Sequence, residues 1–286
     1  MNASEKADIG RDPAALKALE DIARKVRLDV LDMTSRMGGH PTSCFSTVEI
    51  LTVLYLGGVL RCRPKEPSWP DRDRFILSKG HAAPALYAVL ARAGYFDVSE
   101  LTRFRTMDSP YHGHPKQDIS IGVEVTSGSL GQGLSFGLGS VLAGRLARRD
   151  YRVYVLTGDG ECEEGQVWEA AMAAAHFKAD RLTAIVDYNK YQQTGPIERE
   201  MALEPFADKW KAFGWHVEEA DGHDMADLLH RLERVRTIQG RPQVVIAHTK
   251  KGKGVSFMEK DYTFHARSPS GEQLALAREE ILNANR

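Results

Sequence analysis

Apolar residues recur at helical spacing between positions 14 and 36, at Leu16, Leu19, Ile22, Val26, Val30 and Met33, and Gly38-Gly39 ends the pattern. The spacing predicts a long amphipathic helix. Ser46-Thr47-Val48-Glu49 has the form of a capping box, so a second helix is expected from there to about Leu56. RFILS at 74–78 reads as a short buried strand, followed by KGH and a helix through APALYAVLARA that stops at Gly94. Residues 106–128 form a long, polar, histidine-bearing loop, and a loop of that length inside a compact domain is usually functional or disordered.

An alternation follows. Strands are expected at 152–157 (RVYVLT), 182–187 (LTAIVD), 215–220 (WHVEEA) and 243–249 (QVVIAHT), with helices at 164–177, 205–213 and 225–237 between them and a last helix from Ser270. Strands separated by helical segments mean βαβ units, hence an α/β fold with a mostly parallel central sheet and helices on both faces. No repeat or low-complexity linker interrupts the pattern. The expected organisation is one domain over 14–286 behind a flexible tail, 1–13. In such sheets ligands bind beyond the carboxyl ends of the strands. The loops SKGH, TGDG, VDYNKYQQTG and HTKKGKG all leave such ends and should converge.

Composition narrows the class. Hydrophobic content of 42% and charged content of 27% suit a soluble globular protein with a sizeable core. Lys+Arg 38 against Asp+Glu 39 leaves a formal charge of −1 without a basic block, which disfavours nucleic acid as a partner. Cys44, Cys62 and Cys162 are odd in number and far apart, so they read as structural thiols in a reducing, cytoplasmic setting. The polar start MNASEKADIGRDP shows no secretory h-region. The most apolar stretch, 129–149, is broken by Gln132, Ser135, Ser140 and five glycines before Arg145, so a tightly packed buried helix is expected rather than a membrane span. Its small residues at 130–144 suit close helix packing, including across a subunit interface.

The chemistry centres on VLTGDGECEEGQVWEA, residues 155–170. Asp159 follows one predicted strand and Asn189, thirty residues later, follows the next, so a βαβ unit brings both to one sheet edge. A carboxylate and an amide oxygen are a hard-cation set with room for carbonyl, water and phosphate oxygens. The glycines flanking Asp159 permit close backbone approach to a phosphate, and the next helix N-terminus favours an anion. Together they spell a clamp for a diphosphate with Mg²⁺ or Ca²⁺. Alone, Asp159 reads as a helix cap and Asn189 as a turn residue.

These residues resemble the signature of thiamine-diphosphate enzymes. GGHPTS (38–43), SKGHAAPALYA (78–88), GHP (113–115), TSGSLGQGLSFGLG (126–139), GDGECEEGQVWEA, VDYNKYQQTG, ADGHD (220–224) and TKKGKG (249–254) extend the resemblance, over nearly the whole chain, to the diphosphate-binding half of transketolases. SGSLGQG and VDYNK are similar to the split members, in which two chains share what is elsewhere one. The resemblance implies the thiamine-diphosphate-binding fold. It implies metal binding by the side chains of Asp159 and Asn189 and the carbonyl oxygen of Tyr191. Gly158 would offer a backbone N–H to the diphosphate beside Gly160, and Gly128 and Leu130 would line the thiazolium region. Glu164 resembles the acidic residue at the subunit interface near the carboxylate that activates the cofactor. His40, His81, His114 and His265 match the histidines around diphosphate and sugar, His265 through FHA as in deoxyxylulose-phosphate synthase. His81 and His265 count also as cofactor contacts. Neutral imidazoles suit proton relay from sugar hydroxyls.

The activating glutamate of this family comes from a pyrimidine-binding domain, and no second α/β domain is visible here. A C-terminal transketolase subunit in an α2β2 assembly is therefore the implied partner, with sugars or sugar phosphates as substrates and no membrane. Ser129 replaces the proline usual in single-chain members, KQDISIGVEV after His114 has its own character, and His112 competes with His114. Glu161 and Glu163 read as complements of the helix dipole, and Lys250, Lys251 and Lys253 as phosphate attractors or a solvated loop. Two alternatives stand beside ketol transfer. One is a related synthase acting on a 2-oxo acid, toward which FHA and TKKGKG lean; the other is a non-catalytic cofactor-binding module.

Overall fold

The computed structural model describes residues 12–284. The expected tail, 1–13, lies outside these residues except for Asp12 and Pro13. Those two already belong to the first helix: the Asp12 carboxylate accepts from the Ala14 N–H at 2.9 Å, and Pro13 opens α1 (Pro13–Met37). The elements then run α2 (Pro41–Phe45), α3 (Val48–Leu56), β1 (Arg74–Leu77), α4 (Ala83–Arg92), α5 (Gly133–Leu146), β2 (Val153–Gly158), α6 (Gly165–His176), β3 (Leu182–Tyr188), α7 (Ile197–Glu200), α8 (Phe206–Ala212), β4 (His216–Asp221), α9 (Met225–Arg236), β5 (Gln243–His248) and α10 (Glu272–Asn283).

Among the described residues the strands form a parallel sheet ordered β1-β2-β3-β5-β4. Its central strands are buried on both faces, which is why they read as continuous apolar runs rather than alternating ones. Tyr154, Leu156, Ile185, Val245 and Ala247 face a core shared with α1, α3, α4, α9 and α10. Val153, Val155, Leu182, Ala184, Val186, Val244 and Ile246 face a second core under α5, α6 and α8. Each fully buried Val, Leu or Ile contributes roughly 1.5–3 kcal/mol relative to exposure. The register fixes the strand ends: Gly158 pairs with Asp187, and Tyr188 with His248. The loops after β2, β3 and β5 therefore start level with one another.

Two expectations change, and the choice between an ordered and a disordered 106–128 loop is decided. The capping box does not form, because Thr47 has no capping side-chain bond. Ser46 Oγ instead donates to Asp187 at 2.7 Å, Thr47 Oγ1 donates to the Cys44 carbonyl at 2.8 Å, and Glu49 pairs with Arg27. Charge-assisted bonds to partners elsewhere in the fold, Ser46 to a carboxylate and Glu49 to a guanidinium, take the side chains that neutral capping bonds would have used. Second, α5 is buried on only one side, by Gly133, Leu134, Gly137, Leu138, Val141 and Gly144. Phe136 and Leu146 on its other side are 51% and 88% exposed. The 106–128 loop is ordered by short contacts of its own, among them an Asp118–Val123 bridge and the Ser127 N–H donating to the Pro115 carbonyl at 3.1 Å. Among the described residues no helix is long and apolar enough to cross a membrane.

The fit of α5 to the sheet depends on the absence of a side chain at Gly137, where a Cβ would stand 2.6 Å from Val155 Cγ2 and 3.0 Å from Leu182 Cδ1. Gly137→Ala should therefore destabilise the fold by about 1–3 kcal/mol in urea unfolding. Gly139→Ala, whose Cβ meets open space, should be neutral or stabilising by up to about 1 kcal/mol. Equal effects at the two positions contradict this packing.

Candidate active site

The four loops named from the sequence do converge. They enclose a cavity of about 410 Å³ at the carboxyl ends of the strands. Close approach of the SKGH and TSGS loops is possible because residue 80 is glycine: a Cβ there would lie 2.8 Å from the Ser127 carbonyl carbon and 2.9 Å from Gly128 N. His40, His81, His114, Gly128, Leu130, Gly158, Asp159, Gly160, Asn189, Tyr191 and His265 all line the cavity.

The histidines cluster around His40. Its ring centroid lies 5.4 Å from that of His81, 5.8 Å from that of His114 and 5.1 Å from that of His265, with His81 and His265 5.4 Å apart. Burial, reinforced by neighbouring cations and imidazoles, pulls His40 down to about 4 and His265 to about 3; His81 and His114 are lowered as well. The rings are therefore neutral at pH 7. His112 is exposed and outside the cavity, so the competition with His114 is decided by geometry.

Two lysines form the floor. Lys79 and Lys251 are each 1% exposed. The Lys79 ammonium pairs with Asp187 and donates to the Ser43 carbonyl at 3.3 Å. Lys251 Nζ lies 3.3 Å from Ser43 Oγ and 3.0 Å from His265 Nδ1. Burial and Lys79 lower Lys251 to about 8, so at pH 7 it is still mainly an ammonium. An ammonium only donates, so His265 Nδ1 accepts and its proton sits on Nε2. Of the three lysines of TKKGKG, Lys251 alone enters the cavity, while Lys250 pairs with Glu259 at 2.9 Å.

Asp159 and Asn189 are 2% and 6% exposed. Asp159 accepts from the Gly160 N–H at 2.9 Å and from the Lys190 N–H. Burial first, and Asp187 second, push its carboxyl up to about 7. Asn189 donates to Asp187 at 3.0 Å and accepts from the Tyr191 N–H at 3.0 Å, which fixes the orientation of its amide. A sealed carboxylate with so little compensation, beside an amide oxygen and the Tyr191 backbone, fits a divalent cation of the Mg²⁺ or Ca²⁺ type. Among the described residues no group of three or more His, Cys, Asp or Glu forms a competing metal site.

Two assignments need correction or relocation. The Gly158 N–H assigned to the diphosphate is taken by Glu161 Oε2 at 3.0 Å, so Gly158 contributes backbone surface and not a free donor. Glu164 is exposed and does not line the cavity; it sits beside the turn at Gly131, where a Cβ would come within 2.8 Å of its own. The sequence pattern did not single out Ser43, Lys79 or Asp187. Lys79 and Asp187 each stand at the carboxyl end of an apolar run, the one position where a strand's next side chain reaches the ligand crevice. Glu161, read as a dipole complement, is 2% exposed and spans several loops.

Comparison with known proteins identifies the family. The family model described as "Transketolase, thiamine diphosphate binding domain" matches residues 18–282. The chain is 42% identical over 265 residues to an apulose-4-phosphate transketolase subunit from Actinobacillus succinogenes, covering 92% of this chain and 95% of that one. It is 40% identical over 248 residues to the 6-deoxy-6-sulfo-D-fructose transketolase subunit of Clostridium sp. (strain MSTE9), covering 86% and 90%. Transketolase from Leishmania mexicana superposes with a TM-score of 0.86 at 29% identity, over 92% of this chain but only 41% of that one. The chain thus has the extent of the separate subunits and about two fifths that of the single-chain enzyme. It belongs to the transketolase family, whose thiamine diphosphate binding domain it carries.

Proposed function

We propose that this chain is the N-terminal subunit of a two-chain transketolase, holding thiamine diphosphate and a divalent ion while a partner subunit closes the site. The pair transfers a two-carbon ketol unit from a ketose or ketose phosphate to an aldose acceptor. The observation that carries this reading is the set of four neutral histidines, three of them 5.1–5.8 Å from His40 at the centre, standing over a floor of two buried lysines and the Asp159–Asn189 pair. A cofactor-storing module has use for the floor but none for the histidines.

Thiamine diphosphate, when bound, supplies the electron sink for carbon–carbon cleavage. The chain's own residues do the rest. Lys251 and Lys79 bring positive charge to the diphosphate, and Asp159, Asn189 and the Tyr191 carbonyl hold Mg²⁺ or Ca²⁺. Gly128, Leu130 and Gly160 give the loops a surface the cofactor can lie against. His40, His81 and His114, neutral at pH 7, accept and return the proton of a sugar hydroxyl; His265, whose Nδ1 lone pair is turned to Lys251, offers its Nε2–H to the sugar as a hydrogen-bond donor. Glu164, exposed beside the Gly131 turn, faces the partner's activating carboxylate. The assembly is α2β2, and Phe136, Leu146, Met172 and Phe177, exposed on α5 and at α6, are surfaces for it to cover. Subunit naming in the relatives supports a partner. Relatives named for ketol transfer likewise favour that reaction over the 2-oxo-acid synthase.

Two outcomes test the reading. The reconstituted pair should turn over a ketose phosphate and an aldose, and leaving out either chain should abolish turnover; full activity from this chain alone, or carbon dioxide release from pyruvate by the pair, contradicts it. His114→Ala should leave cofactor affinity within about twofold while turnover falls about 10²–10⁴-fold. Unchanged turnover in the complex would assign the histidines no part in proton transfer.

A further inference from the structure

Glu161 is the second residue after Asp159 and lies in the turn Gly160–Glu163 that follows β2. Its carboxylate is 2% exposed. Oε2 accepts from the Gly158 N–H at 3.0 Å, and Oε1 accepts from the Gly131 N–H at 2.9 Å and from Ser78 Oγ. Ser78 Oγ in turn accepts from the Gly133 N–H at 3.0 Å. One side chain therefore joins the loop after β1, the loop before α5 and the loop after β2. These are the segments that carry Lys79 and His81, Gly128 and Leu130, and Gly158, Asp159 and Gly160.

Both oxygens face donors, which requires a group that only accepts. An ionised carboxylate meets that demand; an amide does not, because its NH₂ would confront an N–H and leave a buried donor without a partner. A helix-dipole complement needs none of these contacts.

We propose that Glu161 is a positioning residue that holds the three loops at the spacing which admits the diphosphate cofactor, acting through backbone N–H groups and Ser78 and touching no reacting atom. The inference rests on the cofactor reading above. Small displacements of a preorganised site are costly, and outer contacts of this kind typically carry 10–100-fold in affinity.

The test is calorimetric titration of thiamine diphosphate with Mg²⁺ into the chain plus its partner, well below the melting temperature, for wild type, Glu161→Gln, Ser78→Ala and the double variant. Glu161→Gln should weaken cofactor binding at least about tenfold. Ser78→Ala should weaken it several-fold, and the double variant should be no worse than Glu161→Gln, because both act through one link. Activity at saturating cofactor should recover more than affinity does. A Glu161→Gln protein that melts earlier yet binds within twofold of wild type makes the residue a brace only and overturns the proposal; so do effects that multiply in the double variant. If Glu161→Gln does not fold, Ser78→Ala decides, and unchanged affinity there overturns it. Wild-type protein that takes up no cofactor defeats the functional reading, and this proposal with it.

Discussion

Asp187, next to last in β3, has a carboxylate that is wholly buried, and the site is arranged around the need to satisfy it. The Lys79 ammonium, Ser46 Oγ, Thr249 Oγ1 and Asn189 Nδ2 all donate to it. Those donors come from the loop after β1, the turn between α2 and α3, the loop after β5 and the loop after β3 itself. Despite the cost of burial, Lys79 and these hydrogen bonds hold the carboxyl below its ordinary range, so it stays ionised. Removing one partner of such a pair is costly, about 3–5 kcal/mol, because the other charge is left buried alone. The consequence for function is positional. Asp187 anchors Lys79 under the cavity and turns the Asn189 amide so that its oxygen lies on the side of Tyr191.

Three carboxylates share this sheet edge, and their compensation differs. Asp187 has a lysine, and Glu161 has two backbone N–H groups and a serine. Burial raises both Glu161 and Asp159; Asp159, with only two backbone N–H groups and within the field of Asp187, is pushed up to about 7. Opposite it, Lys251 is lowered to about 8 by burial and by Lys79. The site thus lacks a cation on one side and an anion on the other. On the proposed reading a divalent ion carrying a diphosphate would supply both, leaving the neutral histidines above free for proton transfer. On that reading charge balance, more than shape, would select the cofactor's charged tail.

Much of this was legible in the sequence. Strands buried on both faces announce themselves as apolar runs, and a βαβ spacing is enough to place Asp159 and Asn189 on one edge; the Gly158–Asp187 register accounts for it. What was not legible depended on partners distant in sequence. Ser46 and Glu49 look like a capping box, but Asp187 and Arg27 claim them. Glu161 looks like a dipole complement until Gly131 and Ser78, far along the chain, are seen to reach it. Gly158 seemed a free donor because Glu161, three residues on, looked like a dipole complement. The Gly-rich 129–149 stretch has no polar face to show that only one side of α5 packs on the sheet. Local pattern decides which element forms; which polar atoms remain unsatisfied is decided by the whole fold.

The central claim is that Asp159 and Asn189 carry a divalent ion that in turn carries the diphosphate. Titration calorimetry of thiamine diphosphate into the chain and its partner, with Mg²⁺ and then with the metal chelated, tests it most directly. The account predicts uptake with Mg²⁺ and loss of that uptake on chelation, with Asp159→Asn behaving like the chelated protein. Equal uptake with and without metal would contradict it.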